Sequence, residues 1–92
     1  MQWRASHILV KDKAKADMIY KKLKEGANFG QMARMYSTCP SKSKGGDLGW
    51  FAPGQMVGEF ERAVQKMGYG SLSRPVRTKF GYHIIKKTGV KD

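Results

Sequence analysis

Between Trp3 and Leu23 the spacing of the apolar residues changes from every second position to every third or fourth, and the change falls at Lys11-Asp12. Trp3, Ala5, His7 and Leu9 alternate with Arg4, Ser6, Ile8 and Val10, which is the period of a strand. Asp12 is suited to capping, and beyond it Ala16, Ile19, Tyr20 and Leu23 follow the i, i+3, i+4, i+7 rule of an amphipathic helix. Gly26 is its stop, and Asp17 stands four residues before Lys21 as a pairing partner. A strand running directly into a helix, in a chain of 92 residues, predicts one domain in which helices cover a sheet.

The remaining pattern extends this plan. Asn28 caps a second helix with Phe29, Met32, Ala33 and Tyr36 on one face. From Ser37 to Gly49 the turn residues Pro40, Ser41, Ser43, Gly45 and Gly46 exclude a long regular element. Leu48 to Phe51 reads as a short strand, and Pro53-Gly54 turns the chain into a third helix whose buried face is Phe60, Ala63, Val64 and Met67. Gly68 and Gly70 end it. Leu72 to Arg77 reads as an edge strand, because Pro75 lacks an N–H, and a turn at Lys79 to Gly81 leads to a last strand, Tyr82 to Lys87, with His83 and Ile85 on one face. The order β-α-α-loop-β-α-β-β predicts an α+β domain over residues 1–92, with a mainly antiparallel sheet flanked by helices.

Composition narrows the setting. Cys39 is the single cysteine, so no internal disulfide exists and nothing calls for an oxidising compartment. No apolar run reaches signal-peptide or membrane-spanning length, and the expectation is a cytoplasmic monomer. Eighteen Lys and Arg against seven Asp and Glu give a net charge of +11, spread along the chain as on a solvated surface. Lys11, Lys13, Lys15, Lys21, Lys22 and Lys24 nevertheless crowd on the first helix and its approach, a candidate for weak, salt-sensitive contact with nucleic acid or an anionic surface.

Four blocks carry a family resemblance in order and in register: Ser6-His7-Ile8-Leu9-Val10; Tyr36 to Ser41 running into Gly45 to Phe51; Gly54 to Val57 followed by Phe60; and Thr78 to Ile85. Together they cover about Ala5 to Thr88, and the chain resembles a small single-domain parvulin-type peptidyl-prolyl cis/trans isomerase. The resemblance implies a four-stranded, mainly antiparallel sheet flanked by helices, the FKBP-like parvulin fold, with a concave groove over the sheet. It carries the family's two sheet histidines to His7 and His83 and its loop Cys or Asp to Cys39. The apolar proline pocket falls on Leu48, Met56 and Phe60, and Thr78 and Phe80 match polar and aromatic positions at the groove rim.

These residue types suit the reaction so implied. Resonance sets a barrier of ~18–20 kcal/mol to peptide-bond rotation, while the two X-Pro isomers differ by only ~0.5–1 kcal/mol. A catalyst needs only to favour the twisted amide, which calls for no cofactor and no metal. Leu48, Met56 and Phe60 can grip the pyrrolidine ring and exclude water that would stabilise the planar amide; ordinary core packing is the plainer account of such a trio. Two histidines on neighbouring strands can hydrogen-bond to each other and to Thr78, a structural and electrostatic role, since no proton need move. Cys39 would present its thiol near the substrate carbonyl. A cysteine-hydrolase reading lacks a protease signature, and a Cys-His-His metal site lacks short-range ligand spacing. Phosphate-dependent members of the family that the chain resembles carry an extended basic loop after the first strand, where this chain has only Lys11-Asp12-Lys13; the resemblance thus implies proline-containing polypeptides as substrates with no strict need for phosphorylation before proline. A chaperone-like module that holds such segments without catalysis is the alternative from a different class.

Overall fold

In the computed structural model, which describes residues 1–92, the first strand is β1, Gln2–Val10. Asp12, in extended conformation, accepts the Ala14 amide hydrogen at 3.0 Å and so starts α1, Lys13–Lys24. Ala16 and Ile19 of its apolar stripe are fully buried. Asp17 does not pair forward with Lys21 as expected but back with Lys13, at 2.9 Å. Helical side chains lean toward the N-terminus, which brings the short Asp17 carboxylate over the preceding turn.

Asn28 accepts the Gln31 amide hydrogen at 2.9 Å and caps α2, Phe29–Tyr36. The exit of α2 is sewn to the end of β1: Thr38 N–H donates to the Leu9 carbonyl at 2.8 Å, and Leu9 N–H donates to Ser37 Oγ at 3.1 Å. The expected irregular stretch contains a 3₁₀ turn, Pro40–Lys44, which proline at its first position favours by fixing φ. Gly45 and Gly46 then return the chain to β2, Asp47–Phe51. At Gly46, with φ of 89°, the backbone passes directly against His7, and its carbonyl accepts the His7 amide hydrogen at 2.9 Å. The Pro53-Gly54 turn closes through Gln55 N–H to the Ala52 carbonyl at 3.2 Å and leads into α3, Gly58–Lys66.

The last strands are β3, Val76–Thr78, and β4, Gly81–Lys91. The expected strand from Leu72 to Arg77 is thus mostly absent: Leu72 makes a single bridge to Lys86, and regular pairing begins only at Val76. Pro75 offers no donor and restricts the residue before it, so the ladder cannot run through it. β4 extends four residues beyond the expected Lys87, because it pairs with the whole of β1 as far as Gln2 opposite Lys91. The sheet order is β2-β1-β4-β3, every pair antiparallel.

The two central strands bury both faces. Ile8, Val10 and Ile84 meet Ala16 and Ile19 of α1 and Met32 and Ala33 of α2 on one side. On the other, Trp3, Ala5 and Ile85 meet Phe51 and, from α3, Phe60 and Val64. Each Val, Ile, Met or Phe side chain among them contributes ~1.5–3 kcal/mol when fully buried. The face under α3 also carries both histidines.

Candidate active site

His7 on β1 and His83 on β4 are diagonal neighbours across the central pair, since His7 lies opposite Ile85 and His83 opposite Leu9. Each is 4% exposed. Their rings stack with centroids 5.0 Å apart, and Nδ1 of one faces Nδ1 of the other at 2.8 Å. Thr78 Oγ1 lies 2.7 Å from His83 Nε2 and accepts the Phe80 amide hydrogen at 3.1 Å.

Counting hydrogens assigns the tautomers. Thr78 has one hydroxyl hydrogen, and His83 Nε2 is its only acceptor within reach. His83 then carries its hydrogen on Nδ1 and donates it to His7 Nδ1. His7 is left with its hydrogen on Nε2, a buried atom with no partner. The reverse order would strand the Thr78 hydroxyl hydrogen instead. Burial, with repulsion from His83 added, lowers the His7 pKa from 6.5 to about 4. Burial lowers His83 to about 4 as well. Both rings are therefore neutral at pH 7, as a chain of single N–H···N bonds requires.

Phe60, 2% exposed at the start of α3, meets both imidazoles edge-on, with centroids 5.7 Å from His7 and 5.5 Å from His83. Above this floor opens a cavity of about 460 Å³, walled by Leu48, Met56 and Phe60, with Cys39 and Phe80 at its margin. Phe80 is 51% exposed. The start of β2, which supplies Leu48, is anchored by Asp47, whose carboxylate receives Arg4 Nη2 at 2.6 Å and the Gly49 amide at 2.9 Å. The Arg4 hydrogen bond holds the Asp47 pKa below the ordinary carboxylate range, with the Gly49 amide adding to it.

Seven of the eight residues singled out from the sequence line this one cavity: His7, Cys39, Leu48, Met56, Phe60, Phe80 and His83. Thr78 corrects its expected place. It is buried, not at the rim, because its hydroxyl is drawn beneath His83 as the end of the relay. Cys39 reaches the margin, but its Sγ receives the Ser41 hydroxyl at 3.3 Å and makes no bond to either histidine. No group of three His, Cys, Asp or Glu side chains is arranged to hold a metal ion. Sequence reasoning missed Leu9, Thr38, Pro40, Gln55 and Val57 as lining residues. Leu9 was within reach of it, since alternation already put Leu9 on the His7 face.

Residues 7–89 match the PPIC-type PPIase domain of the rotamase family. The foldase protein PrsA of Bacillus subtilis (strain 168) is 58% identical over 86 residues, 92% of this chain. The chain spans only 30% of that protein's length. The solved structure of PrsA from Bacillus anthracis superposes with a TM-score of 0.98 at 51% identity, covering 99% of this chain and 42% of that one. NmPin, the parvulin of Nitrosopumilus maritimus, matches over 96% of each chain, with a TM-score of 0.85 and 44% identity. By fold, groove and these matches, the chain belongs to the PPIC-type peptidyl-prolyl cis/trans isomerases, the parvulins.

Proposed function

We propose that this domain accelerates rotation about X-Pro bonds in polypeptides by binding the twisted amide, with no covalent intermediate and no requirement for phosphorylation. The observation that carries this reading is a mainly apolar cavity of about 460 Å³ set over two buried, neutral, mutually bonded histidines. Phe60, Met56 and Leu48 take the pyrrolidine ring. The water excluded there is water that would hydrogen-bond the planar, polar amide and deepen its ground state. The relay keeps the floor rigid and uncharged, a preorganised surface against which the amide turns. Only Lys11 and Asp12 separate β1 from α1, which leaves no room for an extended phosphate-binding loop there.

As a folding assistant, the domain would act on X-Pro steps that otherwise take tens to hundreds of seconds. Exchange NMR on an Ala-Xaa-Pro peptide with micromolar enzyme is the test, with faster cis-to-trans exchange as the expected result. Shifts of groove resonances without faster exchange would replace catalysis by simple holding of proline-containing segments. The reading includes action as a monomer, which the charge of +11 favours by mutual repulsion and sedimentation tests. It also includes residence in a reducing compartment such as the cytoplasm, compatible with the free Cys39 thiol and tested by cell fractionation.

A second, separate contact is proposed on α1. Lys11, Lys13, Lys15, Lys21, Lys22 and Lys24 are all exposed, and only Lys13 is paired with a carboxylate. This surface would attract nucleic acid or an anionic surface weakly, with affinity lost at physiological salt.

A further inference from the structure

Gln55 and Met56 reach the groove from Ala52–Val57, a segment that belongs to no helix or strand. Lying between the end of β2 and the start of α3, its backbone must find hydrogen bonds without a ladder. Inside the segment Gln55 and Ala52 bond each other twice: Gln55 N–H donates to the Ala52 carbonyl at 3.2 Å, and Ala52 N–H donates to Gln55 Oε1 at 2.6 Å. Both hydrogen bonds that leave the segment end on Glu61. Gly54 N–H donates to Glu61 Oε1 at 2.7 Å, and Glu61 N–H donates to the Val57 carbonyl at 3.0 Å. One residue of α3 thus holds the positions immediately before and after Gln55-Met56.

The arrangement follows from how α3 begins. Val57, at its N-cap, has no side chain able to accept a hydrogen bond, and the first turn carries Glu59 and Glu61 instead. The helix dipole favours a carboxylate there, and Glu61 reaches back past the helix end to an amide seven residues earlier. Its other oxygen accepts Gln65 Nε2 at 3.3 Å, from the following turn. The carboxylate is therefore held from both sides. Beyond these bonds, the segment rests on the partial burial of Met56 and Val57 against the core under α3, while a side chain on Gly54 would meet open space.

We propose that Glu61 is a positioning residue for the isomerase: it lies outside the cavity, and by clamping Gly54 and Val57 it keeps the Met56 wall closed over the pyrrolidine ring. The inference rests on the isomerase reading of the groove and adds a residue that acts on it from behind. Without the carboxylate the Gly54 end of the segment comes free, and Met56 loses its fixed contact with bound proline. That contact is made whether the amide is planar or twisted, so its loss weakens ground and transition states alike, raising KM and sparing kcat. Glu61 is half-buried, so its charged hydrogen bond is partly screened, and the expected rise in KM is about five- to tenfold.

The test is exchange NMR on an Ala-Ala-Pro peptide, giving kcat and KM for the wild-type chain, Glu61→Ala, Glu61→Gln, Met56→Ala and the double variant Met56→Ala/Glu61→Ala. Glu61→Ala should raise KM with kcat within about twofold. A loss of folded protein would instead lower apparent kcat at unchanged KM, which separates positioning from stability. Glu61→Gln, whose amide oxygen still accepts the Gly54 N–H, should recover most of the affinity. In the Met56→Ala background, Glu61→Ala should cost less than about twofold more, because the wall it positions is already gone. An unchanged KM in Glu61→Ala would overturn the clamp while leaving the isomerase intact. So would an equal loss in both backgrounds, or a Gln variant no better than Ala. If the wild type turns over no peptide, the isomerase reading falls, and peptide Kd values from groove resonances judge the clamp: weaker binding by Glu61→Ala upholds it, and equal binding overturns it.

Discussion

Gly46 and His7 are joined backbone to backbone, the Gly46 carbonyl accepting the His7 amide hydrogen at 2.9 Å, and a methyl group on Gly46 would collide with the His7 carbonyl oxygen. Gly54 has the same φ of 89° but open space around it. The pair therefore separates backbone strain from crowding. Gly54→Ala should cost about 1–2 kcal/mol, the left-handed penalty alone. Gly46→Ala should cost about 2–4 kcal/mol, because displacement of β1 adds to it. Urea unfolding of the two variants measures the difference, and equal costs would show that the loop yields freely beneath the groove.

Thr78 tests the relay. Thr78→Val keeps the volume but removes the hydroxyl that bonds His83 and accepts the Phe80 amide. A loss of about 1–3 kcal/mol in stability is expected from the buried groups left unpaired, with a fall in kcat/KM as the imidazoles lose their fixed orientation. Thr78→Ser should restore most of both. Activity in the Val variant equal to wild type would remove the relay from the mechanism.

The histidines also set a pH dependence. Their folded pKa values of about 4 lie below the 6.5 of an unperturbed imidazole, so between pH 6.5 and 4 the unfolded chain binds more protons than the folded one. Stability is full above pH 6.5 and falls as pH falls through that window, by at most about 1.4 kcal/mol per pH unit for each histidine. Activity should stay level from pH 8 to about 5 and drop as protonation sets two N–H groups face to face. Imidazole resonances followed by NMR would give the titration directly, and a midpoint near 6.5 would contradict the buried neutral pair.

Two groove substitutions distinguish gripping from folding. Phe60→Ala should abolish measurable isomerisation but also cost about 3–5 kcal/mol, since the ring belongs to the core under α3. Met56 is only half-buried. Met56→Ala should lower kcat/KM roughly tenfold, the value of one apolar contact, with a stability change below about 1 kcal/mol. Unchanged kcat/KM in the Met56 variant would shift the pyrrolidine away from this wall.

Lys87 makes a prediction unrelated to the groove. It is 6% exposed, and its Nζ donates to the Met67 carbonyl at 2.8 Å, directly after the last residue of α3. A cation at a helix C-terminus is favourable, and here it also satisfies a terminal carbonyl. Lys87→Met preserves the apolar stem and should lose about 1–2 kcal/mol in chemical denaturation.

The central part of the fold was legible because its signals are periodic. β1, α1, α2 and α3 each carry an apolar stripe that burial enforces, and Asp12 and Asn28 mark helix starts that the structure keeps. The C-terminal third was less so. Lys86, Lys87, Thr88 and Gly89 read as polar, yet Lys87 and Gly89 are buried within β4, one by capping α3 and the other beneath the Trp50 ring. Such partners lie far off in sequence and leave no local pattern. The groove itself was readable only because four separated blocks could be matched to one family. No spacing rule places Gln55 or Pro40 in one cavity with His83, and nothing in the neighbourhood of Thr78 says whether its hydroxyl points up to the rim or down to an imidazole.

Phe60 closes the core under α3 and at the same time forms a wall of the cavity over the histidines. One side chain thus answers to two selective demands, and a change that altered its shape for a new substrate would be removed for its effect on folding. Variation in what the groove accepts falls instead to residues that the fold does not need, such as the half-buried Met56 and the exposed Phe80 and Gln55 around the opening. Lineages diverging from such an ancestor should keep the same base and differ at the mouth.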